Sequence, residues 1–174
     1  QGKIFCISRY PSELDYGWLS DIVNLPGAAA TVEYRYSPED IMIAQFNRRI
    51  SELKSARETE RKESEIQRYE HQIEDLKNLI NRISVKREPV GFFNVLLHIQ
   101  DANEELLAKR IRNINSRVRI HECDMQFLKF KQRQALESMS PWGIPNAMVY
   151  NVGERNMPMS TFVGGFPMAA AGLN

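Results

Sequence analysis

Residues 54–65 carry no apolar side chain larger than Ala56, and the same stretch contains neither glycine nor proline. On either side of it apolar residues recur at three- and four-residue steps, Ile43, Phe46, Ile50 and Leu53 before it and Ile66, Tyr69, Ile73, Leu76, Ile80 and Ile83 after it. That spacing lines one face of a helix, and each stripe needs a partner to cover it. The pattern predicts two antiparallel helices with the polar stretch at the tip of a hairpin. One continuous helix is the alternative, because no helix breaker interrupts the run. Ser37 as a cap, Pro38 at the first helical position and Glu39-Asp40 in the first turn start the helical region. Pro89 ends it, so the arm covers 38–88.

The flanks of this arm alternate between strand and helix signals. Ile4, Phe5, Cys6 and Ile7 form a short apolar run closed by Tyr10-Pro11, expected of a buried strand. Ser12 with Asp15 reads as a capping pair for a helix through Leu14, Trp18, Leu19, Ile22 and Val23, which Pro26-Gly27 stops. Val32, Tyr34 and Tyr36 alternate with polar neighbours as a second strand. Residues 90–100, with Phe93, Val95, Leu97 and Ile99 on one side, are the most strand-like stretch of all. Asp101 is the expected cap of a helix to about Ser116. Residues 118–126 then read as a fourth strand, and 127–139 as a last helix before Pro141.

This order predicts an α+β chain: a ferredoxin-like antiparallel sheet with the helical hairpin inserted between strands 2 and 3. The α+β domain would occupy 1–141. From 142 to 174 the composition turns to Pro, Gly, Met and Ala with little periodicity, which reads as a linker and docking segment.

Composition narrows the function. Lys plus Arg number 23 against 22 Asp plus Glu, a net charge of +1, so no broad field draws nucleic acid, and direct nucleic-acid binding is not expected. The two cysteines, Cys6 and Cys123, form no CxxC pair and read as free thiols in a reducing cytosol. The longest apolar stretch, 90–99, is about half of what a bilayer requires. The Gln1-Gly2 start and the stop after an apolar segment suggest a portion of a larger protein.

No GxxxxGK[ST] motif occurs, so no loop of amides plus lysine is available to hold nucleotide phosphates, and the segment is not expected to be an enzyme. Gly164-Gly165 lacks the lysine and hydroxyl of such a loop and reads as a turn. The histidines are His71, His98 and His121. His121 and Cys123 would share one strand face beside Glu122 and Asp124, too few convergent ligands for a metal, and ordinary strand chemistry is preferred to a catalytic pair. Glu is interleaved with Lys and Arg along the arm, the mark of a solvated helix. Candidate interface residues are Ile66, Tyr69, Ile73 and Leu76 on the arm, and Met157, Phe162 and Phe166 in the apolar tail. The favoured use of the arm seam is packing within the hairpin; a coiled-coil adaptor or scaffold that pairs through the seam is the alternative.

Three local patterns carry a resemblance. The first is Tyr10-Pro11, then Gly17-Trp18-Leu19 and Leu25-Pro26-Gly27, leading to Ser37-Pro38-Glu39-Asp40. The second is Gln132-Arg133-Gln134-Ala135-Leu136-Glu137-Ser138-Met139-Ser140-Pro141. The third is Arg155-Asn156-Met157-Pro158-Met159-Ser160-Thr161 with Gly165-Phe166-Pro167. In order and spacing they resemble the N-terminal region of the cytoplasmic ATPases of type IV secretion and conjugation, the TraC, TrbE and CagE-like group, with a Gram-positive conjugative element as the fitting source. Met168 stands where that family commonly has an aromatic. The resemblance implies a non-catalytic docking domain on the inner face of the cell membrane, contacting inner-membrane channel components. It further implies a C-terminal ATPase domain that binds ATP and Mg, in a parent that forms homo-oligomers, hexamers being typical. The family's nucleotide-binding motifs match no position here, so no catalytic residue, cofactor ligand or metal ligand is carried over.

Overall fold

The computed structural model describes residues 1–11 and 16–165. Over these residues the chain is α+β, with a five-stranded antiparallel sheet and seven helices. The chain divides into two compact units. The first comprises the described residues within Gln1–Tyr34, Phe92–Arg155 and Thr161–Asn174, the second those of Arg35–Gly91 and Asn156–Ser160.

In the first unit, β1 (Gly2–Arg9) pairs antiparallel with β3 (Val90–Gln100) on one side and β4 (Asp124–Phe127) on the other. With β2 (Ala28–Tyr36) beyond β3, the strand order is β2-β3-β1-β4. Phe5 faces Leu97 and Phe127 in register, and a shift between Ile7 and Arg9 marks a bulge at Ser8. The unbroken run Ile4-Phe5-Cys6-Ile7 is buried throughout because both faces of this strand are covered, as a continuous apolar strand requires. On one face Ile4, Cys6 and Leu96 pack with Leu128, with Ala135 of α5 (Gln132–Ser138) and with Val149 of α6 (Ala147–Gly153). Elsewhere α4 (Glu104–Ile120) packs on β4 and on the single turn of α1 (Ser20–Val23), burying Leu107, Ile114 and Val118.

Several local expectations are corrected. The α1 turn is much shorter than the helix expected around Trp18 and Leu19, although both are buried; Ser12, Leu14 and Asp15 lie outside the described residues. The cap of α4 is Asn103, whose side chain accepts from the Leu106 N–H at 2.9 Å. Asp101 instead accepts from Arg110 at 2.6 Å, and Arg110 also reaches the Pro26 carbonyl. Gly27, at φ +74°, sits where a Cβ would lie 2.5 Å from the Gln100 carbonyl oxygen, so only glycine fits beside this clasp. Val118 and Ile120, expected in a strand, end α4, and β4 starts only at Asp124. The last helix of the 1–141 region begins at Gln132 and not at Phe127.

The segment from 142, expected to have little regular structure, contributes α6, β5 (Arg155–Pro158) and α7 (Met159–Gly165) over its described part. Gly164-Gly165, read as a turn, closes α7.

In the second unit, α2 (Glu39–Thr59) and α3 (Glu63–Ser84) pack against each other. The break falls at Glu60, Arg61 and Lys62, inside the polar stretch, where the Glu60 carboxylate accepts from the backbone N–H groups of Arg61 and Lys62. The hairpin is therefore two helices, not one. The N-cap of α2 is Pro38, with no side-chain bond, so Ser37 does not serve as the expected cap. Met42 is buried in the stripe where Ile43 was expected. β5 pairs with β3, and the Met159 N–H donates to the Pro89 carbonyl at 2.9 Å.

Candidate functional site

The arm residues proposed for an interface are those that hold the hairpin together. Ile73 is buried with Ile50 and Leu53, and Tyr69, Leu76 and Ile80 pack against that cluster. Ile66 is half-buried nearer the tip. Arg57 of α2 and Glu70 of α3 pair across the two helices at 3.4 Å on the exposed side.

The tail residues are distributed differently. Met157, on β5 of the second unit, is buried. Phe162, in the first unit, sets its ring 4.9 Å from Tyr34 and 5.6 Å from Phe93. Phe166 and Met168 lie outside the described residues.

His121 and Cys123 sit after the end of α4, not on a strand face. His121 Nε2 lies 3.2 Å from Asp21 Oδ2, and its ring meets Trp18 edge-on at 6.2 Å. Cys123 is buried; burial, with the Asp124 charge beside it, pushes its thiol up to about 11, so it is protonated at neutral pH. Burial pushes Cys6 up to about 11 as well. His71 is exposed and His98 half-buried in β3. Among the described residues no three His, Cys, Asp or Glu side chains converge as metal ligands. An open cleft of about 570 Å³ is lined by Arg9, Tyr10, Arg119, Glu122, Cys123 and Asp124, among others. Arg9 is paired with Asp124 at 2.9 Å, and with Arg119 and Glu122 the cleft carries balanced charge, which gives it no selective pull on an anion.

Between Phe127 and Met148 the chain exposes several apolar side chains that the sequence pattern did not single out. Phe130 and Trp142 are 87% and 86% exposed, and Leu136, Ile144 and Met148 each expose more than half of their surface. Phe130 has φ +65°, the left-handed region that bulky side chains rarely adopt. The available signal was a pair of aromatics, Phe130 and Trp142, near Lys129, Lys131 and Arg133 and off any helical or strand stripe. The expected helix over 127–139 takes in Phe130, and Trp142 falls in the segment read as a linker.

These features define an α+β chain with packed helical elements and several exposed apolar side chains between Phe127 and Met148. No protein-family model matches the chain. Over 122 residues, 70% of the chain, it is 23% identical to an uncharacterised protein of Bacillus anthracis. The match covers 19% of that protein, so the chain spans about a fifth of the length of the curated relative it resembles. Among the described residues no helix is long and apolar enough to cross a membrane.

Proposed function

We propose that the chain is the non-catalytic N-terminal docking and assembly domain of a type IV secretion or conjugation ATPase. In this reading the sheet is a ferredoxin-like layer, with the hairpin of α2 and α3 inserted between β2 and β3. The observation that carries it is the order of the three family-like segments, from Tyr10-Pro11 through Gln132 to Arg155-Asn156-Met157. The strand order β2-β3-β1-β4 supports the ferredoxin-like part of it.

Residues within those segments are ones the fold depends on, which is how a domain-level resemblance should behave. Trp18 and Leu19 are buried. The Gln132 side chain accepts from the Ile4 N–H and donates to the Ile4 carbonyl, both at 2.8 Å, extending β1 with a side-chain amide. A match to about a fifth of a longer protein agrees with a domain role. ATP and Mg would be bound by a C-terminal ATPase domain. This domain would sit in the cytoplasm at the inner face of the membrane and contact channel components and neighbouring subunits.

The test compares ATP turnover and sedimentation of the 174-residue chain with those of the parent protein carried through its following region. Turnover and assembly only in the longer protein support the reading. Turnover by the 174-residue chain itself, or a longer protein that neither hydrolyses ATP nor assembles, overturns it.

A further inference from the structure

We propose that the outward face of α4 is a docking surface for the phosphodiester backbone of a nucleic-acid duplex, met by Lys109, Arg112 and Arg117. The inference goes beyond the proposed function and does not rest on it.

Helix geometry fixes the face. Leu107, Ile114 and Val118 are buried on the inner side of α4. Lys109, Arg112, Asn113, Ser116 and Arg117 follow the i, i+3, i+4, i+7, i+8 spacing of a single stripe on the other side, and all five are exposed. The stripe holds no apolar side chain. Its two ends, Lys109 and Arg117, are about 12 Å apart along the helix axis, a length over which a duplex presents about seven phosphates. Ser116, whose hydroxyl donates to the Arg112 carbonyl at 3.0 Å, is a small residue between the cations that lets another backbone come close.

Charge is segregated onto this helix. It carries five Lys and Arg against two Glu, so the remaining 18 cations of the chain face 20 carboxylates. The net charge of +1 therefore joins a basic helix to a slightly acidic remainder, and the whole-chain balance does not report the local field. From 106 to 121 there is no carboxylate at all. On the arm the exposed cations are matched: Arg48 and Arg49 pair with Glu52, Arg57 with Glu70 and Arg68 with Glu65. Within α4, Arg110 is held by Asp101, and Arg119 lines the cleft that also holds Glu122. Lys109, Arg112 and Arg117 make no ion pair among the described residues. Complementing the helix dipole accounts for a cation in the last turn, as at Arg117, but not for Lys109 and Arg112, which lie well before it.

The chemistry of the stripe decides the occupant. A membrane-binding helix sets its cations beside a broad apolar face that enters the lipid, and a protein hot spot is built on packed aromatic or apolar anchors. This stripe has neither. Single strands are held by stacking their bases on aromatic side chains, and α4 contains no aromatic residue. What remains is a row of unpaired cations with an amide among them, the set that contacts duplex phosphates without reading sequence.

The experiment is fluorescence anisotropy of a labelled DNA duplex of mixed sequence, titrated with the 174-residue chain at several salt concentrations. Three phosphate contacts predict that affinity falls about 40-fold between about 50 and 200 mM salt. Lys109→Gln combined with Arg112→Gln should leave a fall of only about 3.5-fold. Its thermal melt should stay unchanged, because both side chains are exposed and Gln is as good a helix former. Arg117→Gln alone should lower the salt slope by about one. Arg48→Gln, which removes an exposed cation already paired with Glu52, should leave affinity and slope unchanged. No duplex binding at low salt, a slope untouched by the double variant, or an equal loss in Arg48→Gln overturns the proposal. So does displacement of the duplex by polyglutamate at equal charge, which would assign the stripe to an acidic protein segment. Tighter, stripe-dependent binding to phosphatidylglycerol vesicles would assign it to a membrane and overturn the proposal as well.

Discussion

Gly153 closes α6 directly over β1. A Cβ on it would lie 2.6 Å from the Ile7 carbonyl oxygen, 3.0 Å from Asn94 Oδ1 and 3.2 Å from Cys6 Cβ. Gly153→Ala therefore sets two effects against each other. Helix propensity favours alanine by at most about 1 kcal/mol, and by less at a final helical residue. Overpacking costs about 1–3 kcal/mol, and the nearest obstacle is a sheet carbonyl that cannot rotate aside. To reach ordinary contact α6 must retreat by roughly 0.8 Å. That retreat loosens Val149 and Tyr150, both buried, and lengthens the 3.0 Å bond from the Tyr150 hydroxyl to Glu33. The steric term wins, and the variant should lose about 1–2 kcal/mol. Urea denaturation followed by fluorescence of Trp18, which is buried in the same unit, should show a lower midpoint with an unchanged slope. A midpoint equal to or above that of the unmodified chain would refute the seating of α6 on β1.

Ile73→Asp buries a carboxylate among Ile50 and Leu53 and should destabilise the hairpin by about 3 kcal/mol or more. Its sedimentation should otherwise match the unmodified chain, and conversion of an oligomer to monomer would favour the adaptor reading. Gln132→Leu strands the Ile4 N–H and leaves the Ile4 carbonyl with the Leu128 N–H alone, a loss of about 1–3 kcal/mol that chemical denaturation would register; unchanged stability would mean that water replaces the amide. Both thiols are raised from the ordinary 9.0 to about 11 by burial, so the folded chain holds these protons more tightly than the unfolded one. Their contribution is complete below pH 9 and is lost as pH rises toward 11. Replacing both by alanine should flatten that alkaline decline. A thiol reagent at pH 8 should label the native chain far more slowly than the denatured one.

Much of the architecture could be read where the signal was local. The apolar run at Ile4, the alternation through Val32 and Tyr34, and the long stretch beginning at Val90 each became strands, although β2 is half-buried on both faces where one buried and one wet face was expected. The helical stripes became α2 and α3 because their apolar spacing lines one face of each helix in the hairpin. Val118 and Ile120 misled because a two-residue spacing near the end of a segment fits a strand. Leu107, Ile114 and Val118 in fact lie seven and eleven residues apart, on one helical face. The segment from 142 gave little signal because its helices are seven residues each, too short for a period to declare itself.

By itself the sequence determined the α+β class and the two apolar stripes that became α2 and α3. Only the tertiary structure decided which surfaces remain free. The arm seam is consumed by α2, Phe162 by Tyr34 and Phe93, and one face of the sheet by α5 and α6. Such choices depend on contacts between distant residues, as when Gln132 reaches Ile4 across 128 positions. A periodic stripe records that a side chain needs cover but not which partner supplies it. Phe130 and Trp142 stand outside every stripe, so their exposure emerges only once the rest of the chain has been packed.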